Sequence, residues 1–145
     1  MRFRGNIPAK IDAQGRLKIP SLYKAIFDEV YGSDALFITS FNGDHIVIYP
    51  LKEWEAIEAK LRERPAGKAK RKFLQYTGYW GQEAFLDKQG RVLLHPHLRK
   101  AAGVDGTDVA VIGNLTHLAV WNDEKVQATM ANDPFTDEEL EQLGI

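Results

Sequence analysis

The chain has 145 residues and a mass of 16.4 kDa, with 19 Lys and Arg against 20 Asp and Glu, a formal net charge of −1, and no cysteine. Its hydrophobic content of 44% suits one globular domain, or two very small ones, and excludes a disordered chain. Without cysteine there is no disulfide framework, zinc ribbon or thiol nucleophile, and no apolar run nears the ~20 residues of a membrane span. Met1-Arg2-Phe3-Arg4-Gly5-Asn6 lacks the apolar core of a signal peptide, so a reducing cytoplasm is the expected compartment.

The near-zero net charge averages unlike segments. Residues 1–24 carry Arg2, Arg4, Lys10, Arg16, Lys18 and Lys24 against Asp12 alone. Residues 60–73 carry Lys60, Arg62, Arg64, Lys68, Lys70, Arg71 and Lys72 against Glu63, a net of +6. Residues 122–145 carry seven acidic side chains against Lys125, a net of −6. The chain is a mildly basic body with an acidic C-terminal tail, a division that can mark nucleic-acid interaction.

In chain order, Asp12-Ala13-Gln14-Gly15 is a turn, because Asp can bond the backbone ahead and Gly accepts positive φ. Arg16-Leu17-Lys18-Ile19 alternates polar and apolar, which predicts a half-buried strand with Leu17 and Ile19 inward. Pro20 ends it, and a short helix follows from Ser21, placed near its N-cap. Leu36–Thr39 and Ile46–Tyr49 are strand-like, joined by the Asn42-Gly43 hairpin signal. Trp54, Ile57 and Leu61 form one helical stripe, Pro65-Ala66-Gly67 breaks it, and Lys68–Tyr76 predicts a second, basic helix. Two later strands, Asp108–Ile112 and Leu118–Trp121, flank a predicted turn at Gly113-Asn114. The tail from about Asn132 is expected to be partly disordered.

These elements repeat. Asp12 through Pro20 reads against Asp87 through Pro96, with Asp, Gln, Gly and Arg in the same order and one extra residue before Pro96. Leu22-Tyr23-Lys24-Ala25 matches Leu98-Arg99-Lys100-Ala101, and His45 through Tyr49 matches His117 through Trp121. Two copies of a unit of roughly 45 residues follow, each too small to be stable alone. Pairing between copies, or between chains, must complete the core.

The candidate chemistry is sparse. His95 and His97 could share a strand face, but Pro96 intervenes and no carboxylate cluster accompanies them. His45 and His117 occupy matched positions and read as structural. No phosphate loop, nucleophile elbow or metalloprotease helix is present, and Asp12 and Asp87 read as turn caps rather than an acid–base pair. Arg16 and Arg91 each follow a turn glycine at the start of a strand, where a guanidinium can grip phosphate or read guanine. A pairing of each Arg with the Asp of its own turn is the competing role, and the two can coexist. Lys18 shares the face of Arg16, whereas copy two has Leu93 there, so copy one reads as the nucleic-acid face and copy two as an assembly or core unit.

The paired Asp-x-x-Gly-Arg turns, the Pro after each following strand and the interposed Glu53-Trp54-Glu55 helix resemble the MraZ family, whose units belong to the SpoVT-AbrB swapped-hairpin class. Met1–Gly5, Tyr49-Pro50-Leu51 with Trp54, and Leu98-Arg99 with Ala101 and Gly103 are similar to that family as well, and the likeness spans about residues 1–130. Gln14 stands where Lys is frequent, and His95 where an apolar or small residue is more usual. The resemblance implies an α+β, mainly β fold: two tandem AbrB-like units forming a pseudo-symmetric barrel, at residues 6–52 and 82–125, with a helical connection at 53–80 and an acidic tail at 132–145. It implies a non-enzymatic, sequence-specific regulator of transcription, expected to be a repressor, acting on the promoter of the division and cell-wall gene cluster through repeated DNA boxes. Nucleoid association and a ring-like homo-oligomer come with it, and no membrane, cofactor, metal or small-molecule substrate is expected. Arg16, Lys18, Arg2, Arg4 and Lys10 are the expected DNA contacts; Asp12, Gly15, Asp87, Gly90 and Arg91 form the turn signature. An antitoxin-like DNA-binding module with a protein partner is the alternative, and a small metal-dependent hydrolase is the alternative from another class.

Overall fold

A computed structural model describes residues 1–145. The strands are β1 (Phe3–Lys10), β2 (Arg16–Lys18), β3 (Ala35–Thr39), β4 (Ile46–Pro50), β5 (Gln82–Phe85), β6 (Arg91–Leu93), β7 (Asp108–Leu115) and β8 (Leu118–Asn122). The helices are α1 (Ser21–Ile26, continued by a π-helical turn over Phe27–Tyr31), α2 (Leu51–Glu63), α3 (Lys68–Tyr79), α4 (Pro96–Ala102), α5 (Asp123–Asn132) and α6 (Asp137–Gln142). No helix is long and apolar enough to cross a membrane.

The fold is mixed α+β, with most strands in one six-stranded antiparallel sheet of order β1-β7-β8-β4-β3-β5. The remaining two, β2 and β6, pair as a separate antiparallel ribbon. The expected closed barrel is not found: β1 and β5 end the sheet order and do not pair with each other. The ribbon instead continues each edge strand through its turn, with Ile11 bridged to Leu17, and sends Leu17 and Val92 into the main core.

Every long-range pairing crosses between repeats. The first strand of copy one, β1, pairs with β7 of copy two, and the first strand of copy two, β5, pairs with β3 of copy one. β4 joins β8, and β2 joins β6. The sheet order reads the same when the copies are exchanged. The registers agree: Val47 faces Ala119 and Leu17 faces Val92, each pair being equivalent positions, so a pseudo-twofold axis passes through both. His45 stacks on Trp121 at 4.1 Å and His117 on Tyr49 at 4.2 Å, again as mates of one operation. The matched histidines are therefore structural, and burial beside His45 lowers the His117 pKa.

Strand alternation divides the apolar residues into two layers. Ile46 and Ile48 of β4 point to the main core, with Leu17 and Val92 of the ribbon, Tyr23 and Phe27 of α1 and Leu98 of α4. Val47 and Tyr49 point the other way, to a smaller cluster with Trp54 of α2 and, packed on it, Phe37 of β3 and Phe73 of α3. The molecule is thus three layers: α2 and α3, the sheet, then the ribbon with α1 and α4. The basic helices pack on the sheet face away from the ribbon, and only the end of α3 reaches α4, where Tyr79 and Trp80 meet His97.

The structure corrects several local readings. Ser21 is the first helical residue, with Pro20 at the cap position and no side-chain cap bond. The helices align at the ribbon's offset, not one residue later: buried Tyr23 answers buried Leu98, while Leu22 is 60% exposed. Packing sets that register, and the shifted proline conceals it. Gly113 and Asn114 are not a turn, because β1 pairs with β7 as far as Leu115. A Cβ on Gly113 would overlap the backbone of Phe3 and Arg4, so this glycine admits β1. The reversal moves to Leu115, at φ 65. The tail is not disordered: Thr136 and Glu139 form a reciprocal capping box that starts α6.

Leu17 is fully buried on the axis between ribbon and sheet. Leu17→Ala is expected to cost about 2–5 kcal/mol in urea unfolding, and an exposed-face control, Lys18→Ala, little.

Candidate nucleic-acid interface

The two signature turns are built alike. Asp12 Oδ1 accepts the backbone N–H of Gln14 (2.9 Å) and of Arg16 (2.9 Å), and its Oδ2 accepts Arg16 Nε (2.9 Å). Asp87 does the same with Gln89 (2.8 Å), Arg91 (2.9 Å) and Arg91 Nε (3.2 Å). Gly15 and Gly90 take φ of 83 and 74, which only glycine adopts without strain. Each carboxylate is held below the ordinary range chiefly by the backbone N–H of the Arg, against the opposing effect of desolvation, with the Arg side chain and the Gln backbone N–H adding to the lowering. The Asp–Arg pairing is therefore real, but it engages only Nε. Arg91 makes no further intramolecular side-chain bond, and Arg16 adds only Nη2 to Gln14 Oε1 at 3.0 Å. The Asp aims the guanidinium, and its outer N–H groups stay available to phosphate oxygens or to guanine O6 and N7.

The ribbon brings the copies together on one face. Leu17 and Val92 point inward, so Arg16, Lys18, Arg91 and Leu93 share the outer face. Lys18 lies directly across from Arg91, and Arg16 across from Leu93. Bonds from Ile19 N to Gly90 O (2.9 Å) and from Leu94 N to Gly15 O (3.0 Å) tie each strand end to the opposite turn. Arg91 has few basic neighbours in sequence, yet in space it stands beside Lys18. The ribbon is composite: copy one supplies Arg16 and Lys18 to its outer face, and copy two supplies Arg91 and Leu93.

Two cationic residues that sequence reasoning left aside complete the ends. Arg99 of α4 packs on the turn of copy one so closely that a Cβ at Gly15 would overlap its guanidinium. It pairs with Asp105 at 3.5 Å, and its Nε is buried without a partner. Lys24 of α1 lies against Gly90, at 3.7 Å from where a Cβ would stand, and pairs with Asp28 and Asp34. Lys24 and Arg99 are equivalent at the structural offset, and each helix buttresses the other copy's turn. The signal available in sequence was the repeat itself, once aligned on packing.

Of the other candidates, Lys10 lines a shallow groove with Lys18, Pro8 and Pro20, and pairs loosely with Asp108 at 3.7 Å. Arg4 is six residues back along β1, about 20 Å away at a strand's rise. Arg2 lies beside Tyr31, whose hydroxyl bonds Glu53 of α2 and whose pKa is pushed up to about 12, chiefly by burial. The structure does not bring Arg2 or Arg4 to the ribbon. The rings of His95 and His97 lie 5.8 Å apart, and no group of three or more His, Asp or Glu side chains is placed to hold a metal ion there or elsewhere.

Because both turn carboxylates titrate below their unfolded values, the unfolded chain binds more protons in acid. Their contribution is complete above the ordinary Asp range and is lost as pH falls below about 4. The double variant Asp12→Asn, Asp87→Asn is expected to flatten the fall in stability between pH 5 and 3. A wild-type slope would show that the pairing has no energetic consequence.

Comparison with known proteins places this geometry. The family model described as "MraZ protein, putative antitoxin-like" matches residues 3–76 and again 81–143. The chain is 46% identical to the "Transcriptional regulator MraZ" of Acidobacterium capsulatum, covering 98% of this chain and 97% of that one. It is 41% identical to the one from Koribacter versatilis over 99% of both chains, and 39% identical to that of Syntrophobacter fumaroxidans over 83% and 79%. Matched over both repeats, and along nearly its whole length by such relatives, the chain belongs to the MraZ family.

Proposed function

We propose that this chain is a sequence-specific, DNA-binding regulator of transcription, with the β2–β6 ribbon as its reading surface and no catalytic role. The observation that carries the reading is the ribbon face itself, where Arg16 and Arg91 are each aimed by a carboxylate and flank Lys18. A two-stranded ribbon fits a DNA major groove, and rigid guanidinium groups are the commonest readers of guanine there. In this reading Arg16, Lys18 and Arg91 meet base edges, while Lys10, at the flank, meets phosphate. Gln14 rests on Arg16 and so shapes what that Arg reads. Arg2 and Arg4, a strand's length away, contact only DNA that runs along β1.

One ribbon neutralises few phosphates and binds weakly alone. The family resemblance supplies the remedy, a ring-like homo-oligomer on repeated boxes, which can raise avidity by ~10²–10⁴. It extends the reading to repression at the promoter of the division and cell-wall gene cluster. Nucleoid association follows from such binding.

DNA selected from a random library supplies the probe. Arg16→Ala is expected to weaken binding to the selected site by about tenfold or more, with folded content and oligomer mass unchanged. Binding is expected to fall with salt at a log–log slope of ~0.9 per phosphate contacted, and Lys10→Ala to reduce that slope by about one contact. Wild-type affinity in Arg16→Ala would overturn the assignment of the ribbon.

A further inference from the structure

The acidic tail and the basic helices are both left without partners. Every residue from 131 to 145 is exposed, and the hydrogen bonds of residues 133–145, beyond α5, run within that stretch, save one backbone bond from Asp133 to Met130 of α5. Helix α6 has six residues, far fewer than the ~12–15 an isolated helix needs in water. It is also two-sided. Phe135 just before its cap and Leu140 occupy the positions of a hydrophobic staple, and Leu143 follows one turn on. Glu138 and Glu141, three apart, share another face. Phe135 and Leu143 are about two-thirds exposed.

On the sheet face away from the ribbon, α3 offers the complement. Lys68, Arg71 and Lys72 are exposed along it, and neither Lys68 nor Arg71 has an acidic partner. Its C-terminal half carries exposed Leu74, Tyr76 and Tyr79. Tyr76 and Tyr79 line a hollow with Asn42, Gln75 and Trp80. A basic first half beside an aromatic hollow matches an acidic helix with an apolar side. In the single chain the tail stands clear of this surface.

We infer that α6 of one chain docks on α3 of a second copy, its carboxylates against Lys68 and Arg71 and its Phe135–Leu140–Leu143 side in the hollow. The contact uses α3 and the hollow at its end rather than the ribbon strands, so it links chains while leaving the Arg16–Lys18 and Arg91–Leu93 face free. It does not rest on the DNA reading, and it is measured without DNA.

The test is sedimentation equilibrium of full-length chains across concentration, with circular dichroism to confirm folding. All altered residues are exposed. Glu138→Lys with Glu141→Lys on the tail is expected to weaken self-association by about tenfold or more, and Lys68→Glu with Arg71→Glu to do the same. Mixing the two variants is expected to restore a mixed assembly, because each then supplies a complementary half. Wild-type mass in both variants would overturn the contact. Failure of the mixture to associate would equally overturn it, as would a monomeric wild type whose tail is protected from proteolysis until charge-reversed, which would show that the tail folds back on its own chain.

Discussion

The structure depends on the antiparallel pairing of three residues from each repeat, Arg16–Lys18 with Arg91–Leu93. Neither repeat encloses a core by itself, and this pairing completes the one they share. Leu17 and Val92 meet on the pseudo-twofold axis and close the space under the sheet, and Ile19 and Leu94 send their N–H groups to the opposite turn. A strand of three residues on its own would have no stability. Here it is held by burial beneath and by carboxylate-capped turns at both ends. The same pairing that closes the core presents the arginines, so folding and presentation of the cationic face are one event.

That coupling explains why the signature is Asp-x-x-Gly-Arg and not merely a basic strand. An arginine on a flexible loop would lose side-chain freedom on binding. The Asp bond to Nε removes part of that freedom during folding, while the Nη groups remain for a ligand. Glycine answers two demands at once: positive φ in the turn, and, at Gly15, room for the Arg99 guanidinium from the other repeat. The buttress is reciprocal, since Lys24 lies against Gly90, so each turn is held by the helix of the other repeat.

Much of this was legible in the amino-acid order. The turns, the inward Leu17 and the Asn42-Gly43 reversal follow from local rules, and the repeat announced that the copies must complete one another. Other features were not legible, for physical reasons. Gly113 looks like a turn residue because its other use, letting a neighbouring strand approach, is a property of β1. The helix register could not be read from prolines, since burial of Tyr23 and Leu98 sets it. Arg91 looked isolated because its cationic neighbour Lys18 is more than seventy residues away in the chain. An open sheet capped by a ribbon, in place of a closed barrel, is likewise a matter of tertiary pairing.

The central claim is that both repeats form one DNA-reading face. Backbone amide chemical-shift mapping during titration with the selected duplex tests it most directly. The account predicts that Arg16–Lys18 and Arg91–Leu93 shift together at the same DNA concentration, while exposed α3 amides stay still. Shifts confined to the first repeat, or centred on α3, would contradict it.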